Sequence, residues 1–152
     1  MIVMGIDVAL GRTGIAVLDN GELAATEVIV TSDKLPRYRR LAVIHQETLD
    51  YLAMYEPDIV AAETSASWQR MSGGSRATDE AMSQARAAVM VAVGNWAGHG
   101  MRFVELDVND VRDTLCGYRM ASKEQGQANL VARGFVLPVM TVRKRVGGYN
   151  LT

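Results

Sequence analysis

Two carboxylates stand at positions where an apolar strand ends. Asp7 closes the run Ile2-Val3-Met4-Gly5-Ile6-Asp7, and Glu63 closes Ile59-Val60-Ala61-Ala62-Glu63. A carboxylate buried in such surroundings is costly unless a cation accompanies it. Two such strands lying side by side bring like charges close together, and a divalent metal relieves the repulsion. Magnesium suits the arrangement, because it takes one or two carboxylates and fills its other positions with water and substrate phosphate. Ions held in this way can activate a water and stabilise the leaving oxygen of a phosphodiester. The spacing alone leaves open that each acid merely caps its strand and faces solvent.

The elements that must position these acids are legible in the hydrophobic pattern. Residues 2–8 read as a buried strand and Gly11-Arg12-Thr13-Gly14 as a turn, after which residues 15–18 resume as a strand. Asn20-Gly21 is a two-residue hairpin signal, so residues 22–30 form a third antiparallel strand. The period then changes. Leu41, Ile44, Thr48, Leu52 and Tyr55 fall three or four apart in a helix over 33–55, with Pro36 in its first turn and Pro57-Asp58 at its end. A short strand delivers Glu63, and 65–76 is a loop with Gly73-Gly74 as its flexible point. Thr78, with Asp79 and Glu80 following, starts a long helix that stops near Gly98. Residues 101–106 are a strand, and 108–115 and 121–132 are short helices. The stretch 134–152 reads as a loop or tail. The order βββαβαβαα predicts an α/β domain with a five-stranded mixed sheet and helices on both faces. Sites in such sheets gather beside the C-terminal ends of neighbouring parallel strands, where Asp7 and Glu63 can meet.

Composition sets the bounds. A chain of 152 residues, 49% hydrophobic and 22% charged, has the size and balance of one globular domain. Its single cysteine, Cys116, excludes an internal disulfide and points to a reducing cytoplasm. No apolar run approaches the ~18 residues of a membrane span, and Met1 leads directly into a strand with no room for a signal peptide. The net charge of −1 hides a segregation: all 17 acids lie within residues 1–124, whereas Arg133, Arg143, Lys144 and Arg145 follow with none. Arg37, Arg39 and Arg40 make a second basic cluster. Such a distribution suits a protein that holds cations in one place and phosphates in another, and equally a solvated surface with a basic tail.

Five segments, in order, carry a resemblance. They are Met4-Gly5-Ile6-Asp7 with Gly11-Arg12-Thr13-Gly14-Ile15-Ala16-Val17; Leu35-Pro36-Arg37-Tyr38-Arg39-Arg40-Leu41; Pro57-Asp58-Ile59-Val60-Ala61-Ala62-Glu63; Ser83-Gln84-Ala85-Arg86; and Val111-Arg112-Asp113-Thr114-Leu115-Cys116-Gly117 with Ala121-Ser122-Lys123-Glu124-Gln125. Together they resemble the RuvC-like Holliday junction resolvases of the RNase H-like superfamily, including those of phages and prophages, over residues 2 to about 130.

The resemblance implies an RNase H-like nuclease domain over residues 1–152, cutting four-way junctions or other branched DNA with Mg2+, for which Mn2+ substitutes. It makes Asp7 and Glu63 metal-binding carboxylates and Lys123 the lysine near the scissile phosphate. Arg112 stands where the family commonly has lysine and becomes a phosphate contact, with Arg119 and Arg76 extending that surface. Trp68, five residues past Glu63, takes the place of an aromatic that wedges against unstacked bases. A homodimer is implied, as are a branch-migration helicase as partner and a cytoplasmic setting in a bacterium or its phage. Four alanines of the long helix, Ala81, Ala85, Ala88 and Ala92, offer a close-packing surface either to a second subunit or to the sheet.

One departure matters. The family completes its site with further acidic residues, or a histidine and an acid, on a last helix, yet no Asp, Glu or His follows Glu124. The expectation is a catalytic helix absent from the sequence, with Asp107 and Asp110 as distant substitutes. A catalytically incomplete branched-DNA-binding or regulatory protein is the competing reading. A sugar-kinase or actin type phosphotransferase shares the opening strand, but needs two such lobes where this chain has room for one.

Overall fold

The sequence closes its first turn with the residues that the backbone demands. Asn20 and Gly21 both adopt positive φ, 49° and 89°, as a tight hairpin turn requires. They join β2 (Arg12–Asp19) to β3 (Glu22–Val30), and β2 also pairs antiparallel with β1 (Ile2–Asp7). In this computed structural model residues 1–63 and 76–136 are described. The remaining elements are α1 (Arg37–Tyr55), β4 (Ile59–Glu63), α2 (Arg76–Trp96), β5 (Arg102–Leu106), α3 (Val108–Cys116) and α4 (Lys123–Ala132). The sheet order is β3-β2-β1-β4-β5, with β4 parallel to both of its neighbours. This is the expected five-stranded mixed sheet.

Alternation along the strands divides its two faces. Met4 and Ile6 are buried and register against Val17 and Ile15 on one side, and against Val60 and Ala62 on the other. α1 supplies Ile44, Tyr51 and Leu52 to the same core, and α2 supplies Ala85, Val89 and Val93, so both helices pack on this face. Thr48 lies fully buried among them because its hydroxyl donates to the Ile44 carbonyl one turn earlier, 2.7 Å away. Trp96 packs against the core, as expected for a tryptophan among alanines and valines. α3 and α4 pack on each other beyond β5, and neither contains a buried residue.

Asp58 fixes the parallel register at the end of the sheet remote from the acids. Its carboxylate accepts from the Ile2 amide at 2.7 Å, its amide donates to the Ile2 carbonyl at 2.9 Å, and its carbonyl accepts from Arg102 N at 2.9 Å. One residue thus aligns β1, β4 and β5, and a slip of one position would carry every side chain to the other face.

Four expectations need correction, the first being that α1 begins at Arg37, with Pro36 as its extended N-cap residue instead of in the first turn of a helix from residue 33. Residues 12–14 belong to β2 rather than to a turn, because Thr13 is fully buried and pairs with Ile29, while Gly14 pairs with Asp7. The long helix begins at Arg76, so Thr78 sits within its first turn instead of starting it. Of the alanine stripe, Ala85 and Ala92 are wholly buried and Ala88 packs against the core, so the intrachain alternative holds.

Candidate metal and nucleic-acid site

Asp7 and Glu63 end adjacent parallel strands. The pairing Ile6↔Ala62 makes them the next positions in register, and Glu63 also borders a groove shared with α2. Asp7 is exposed, while Glu63 is half-buried with its Oε1 shielded from solvent. The partner of Asp7 on the other side is Gly14, where a Cβ would stand 3.8 Å from the Cβ of Asp7. That is an ordinary contact, so the open side of the carboxylate is the solvent to which Asp7 is exposed. Two adjacent carboxylates with open space around one of them suit a hard divalent cation whose shell is completed by water and substrate oxygens. Among the described residues no group of three or more His, Cys, Asp or Glu assembles.

Asp107 and Asp110 are committed elsewhere. Asp107 caps α3, accepting from the Asn109 amide at 2.7 Å. Asp110 forms an ion pair and hydrogen bond with Arg119. That carboxylate raises the Arg119 pKa, first through the hydrogen bond and then through its charge. Neither aspartate joins the pair at the strand ends.

The basic residues expected at the phosphates fall on the α3–α4 unit. Arg112 lies half-buried on α3, and Arg119 is exposed on the connection that follows it. Lys123 opens α4, exposed, directly after Ser122. The Ser122 hydroxyl accepts from Gln125 N at 3.2 Å, while the Gln125 side chain accepts from Ser122 N at 2.8 Å. This reciprocal cap orients the first turn from which Lys123 projects. It also holds the neighbouring Glu124 below its ordinary pKa, mainly by hydrogen bonding from Ser122. Because α3 starts two residues after β5 ends, the unit grows from the same end of the sheet as the acids. Trp68 lies outside the described residues, and of Arg76 only its place at the start of α2 is described.

Sequence reasoning gave no role to two polar residues near Glu63. A groove of about 290 Å³ beside it is lined by Val8, Ala62, Arg86, Met90, Phe103 and Glu105. Arg86 Nε is buried there without a hydrogen bond among the described residues. The segment Ser83-Gln84-Ala85-Arg86 was the available signal, but helical spacing cannot say which of its residues faces the strand ends.

Comparisons with known proteins agree with this architecture. The family model described as "Crossover junction endodeoxyribonuclease RuvC" matches residues 3–140. Crossover junction endodeoxyribonuclease RuvC of Thermomicrobium roseum is 33% identical over 143 residues, covering 91% of this chain and 83% of that protein. The protein of the same name from Rickettsia africae is 31% identical over 129 residues, covering 82% and 77%. Among solved structures, Thermus thermophilus RuvC superposes with a TM-score of 0.69 at 25% identity, covering 87% of this chain and 79% of that one. By descent and by fold, the chain belongs to the RuvC family of crossover junction endodeoxyribonucleases.

Proposed function

We propose that this protein resolves four-way DNA junctions by hydrolysing phosphodiesters at a divalent-metal site built on Asp7 and Glu63. The observation that carries the reading is the in-register placement of these two acids at the C-terminal ends of β1 and β4, in a chain of the RuvC family. T. thermophilus RuvC has been solved in complex with a Holliday junction substrate. Mg2+ is the expected ion and Mn2+ its substitute, since both accept oxygen ligands. When bound, such ions supply the activated water and neutralise the leaving oxygen.

The chain's own residues do the rest. Asp7 and Glu63 concentrate negative charge where the ion belongs. Lys123 and Arg112 neutralise backbone phosphate, Arg119 and Arg76 extend that surface, and Trp68 stacks on bases freed at the crossover. The protein should nick a synthetic four-way junction in Mg2+ or Mn2+, leave a linear duplex of the same sequence intact, and stop in EDTA. Cutting of both substrates alike would show a nuclease without junction specificity.

The absence of a third metal-binding group among the described residues favours one alternative, a junction-binding protein without chemistry. Tight junction binding with no cleavage in either metal would establish it.

A homodimer fits the two-fold symmetry of a four-way junction, in which paired incisions need paired sites. The surface is not the alanine stripe but the opposite side of α2. Ser83, Ala87, Met90, Val91 and Gly94 are exposed there at helical spacing, with Met90 47% and Val91 55% exposed. The wild-type protein should sediment as a dimer at micromolar concentration and Val91→Glu as a folded monomer. A wild-type monomer both with and without junction DNA would refute the assignment. The cytoplasm as location and a branch-migration helicase as partner rest on the family alone.

A further inference from the structure

Arg40 differs from the other members of its basic cluster. Arg37 forms an exposed ion pair with Glu80 at 3.3 Å, and Arg39 lies over the Tyr38 ring at 5.7 Å from its centre. Arg40 is half-buried and makes no ion pair among the described residues. It spends one donor on the loop that follows Asp7 and one on Thr31, just after β3. Its Nε donates to the Thr31 hydroxyl at 2.9 Å, and its Nη2 donates to the Leu10 carbonyl at 3.3 Å.

That loop, residues 8–11, is held from every side. The Thr31 hydroxyl also donates to the Leu10 carbonyl, and the Thr31 amide donates to the Gly11 carbonyl at 3.1 Å. The Thr13 hydroxyl donates to the Ala9 carbonyl at 2.9 Å and accepts from the Ala9 amide at 3.3 Å. Thr13 and Thr31 are buried, so these bonds form away from competing water. Arg40 is the one charged member of the knot, and its planar fork reaches a hydroxyl and a carbonyl on one edge, which an ammonium cannot reproduce.

The location gives the knot its purpose. Pairing between β1 and β4 ends at Ile6↔Ala62, one position before the two acids. With no cation present, repulsion between Asp7 and Glu63 pushes the end of β1 away from β4, and what opposes it is the pairing of Asp7 with Gly14 on β2 and the anchoring of the loop beyond Asp7. We propose that Arg40 is a positioning residue for the metal site, tying the loop after Asp7 to β3 and α1 so that the carboxylate waits beside Glu63 before an ion arrives. The proposal rests on the reading of Asp7 and Glu63 as metal ligands. Partners that hydrogen-bond a metal ligand directly contribute about 10- to 100-fold in affinity; Arg40 acts through the loop next to Asp7, so the low end applies.

The test measures Mn2+ binding directly, by calorimetry on the DNA-free protein, for wild type, Arg40→Lys, Thr31→Val and Asp7→Asn. Arg40→Lys and Thr31→Val should each weaken Mn2+ binding about tenfold. The double variant should lose less than the two single losses combined, because both side chains belong to one hydrogen-bond network around Leu10. Amide exchange of residues 8–12 should speed up in the metal-free variants. The Mn2+ concentration for half-maximal junction cleavage should rise in step with the affinity loss, while the rate at saturating Mn2+ falls far less. Wild-type Mn2+ affinity in both Arg40→Lys and Thr31→Val, with binding lost in Asp7→Asn, overturns the role of Arg40 and leaves the metal site standing. Undiminished binding by Asp7→Asn overturns the metal reading itself, and the proposal with it.

Discussion

Asp7→Asn should cut junction cleavage by at least about a thousandfold, equivalent to roughly 4 kcal/mol of transition-state stabilisation, while leaving junction affinity nearly unchanged. The separation follows from where the charges lie. Asp7 is exposed at the end of β1, whereas Lys123, Arg112 and Arg119 belong to the unit that follows β5. Single-turnover rates in Mg2+ and gel-shift titrations in EDTA measure the two effects independently. A third readout guards against a merely misfolded variant. Removing one of two adjacent like charges relieves repulsion, so in EDTA the variant should melt no lower than wild type and gain less from added metal. Undiminished cleavage by Asp7→Asn would place the chemistry elsewhere.

Lys123→Ala carries the second large effect, and its form discriminates between two roles. Lys123 sits in the first turn of a capped helix, with its side chain exposed and able to extend toward DNA. If its ammonium stabilises charge that develops as the phosphodiester is attacked, the single-turnover rate falls about a hundredfold and affinity barely moves. If it only neutralises a backbone phosphate, affinity falls and the dependence of log K on log salt loses about one unit of slope. The first outcome is expected, because the α3–α4 unit springs from the end of the sheet that carries the acids. Wild-type rates and an unchanged salt slope together would remove Lys123 from the interface.

Where the sequence spoke clearly, local chemistry and tertiary structure agreed. β3 runs from Glu22 to Val30 as the Asn20-Gly21 turn and the apolar pattern indicate, and α1 ends at Tyr55 just ahead of Pro57. The errors arose where a partner distant in sequence decides. Gly11-Arg12-Thr13-Gly14 has turn composition, but strand pairing to β1 and β3 and the buried Thr13 hydroxyl override it. The alanines of α2 satisfied two packings equally, and only the position of the sheet chose between them. Asp7 and Glu63 were legible because each is an acid ending an apolar strand. Arg40 was visible only as one charge in a basic cluster, since nothing in its neighbours reveals that Thr31 and Leu10 wait for it. Five family-like segments identified the lineage, but no spacing rule distinguishes an arginine that meets phosphate from one that holds a loop.

The connectivity of the sheet also divides its contacts into local and non-local ones. β1, β2 and β3 are joined by short turns, so their antiparallel ladder closes over small loops and can form early. The contact between β1 and β4 must wait for the chain through α1 to be threaded into a crossover, at a greater entropic cost of loop closure. Asp7 is therefore placed by contacts close in sequence, and Glu63 by the non-local parallel pairing. On the proposed reading of the metal site, a chain in which only the antiparallel strands have formed holds one of its two carboxylates in place, and ion binding requires the non-local half of the domain.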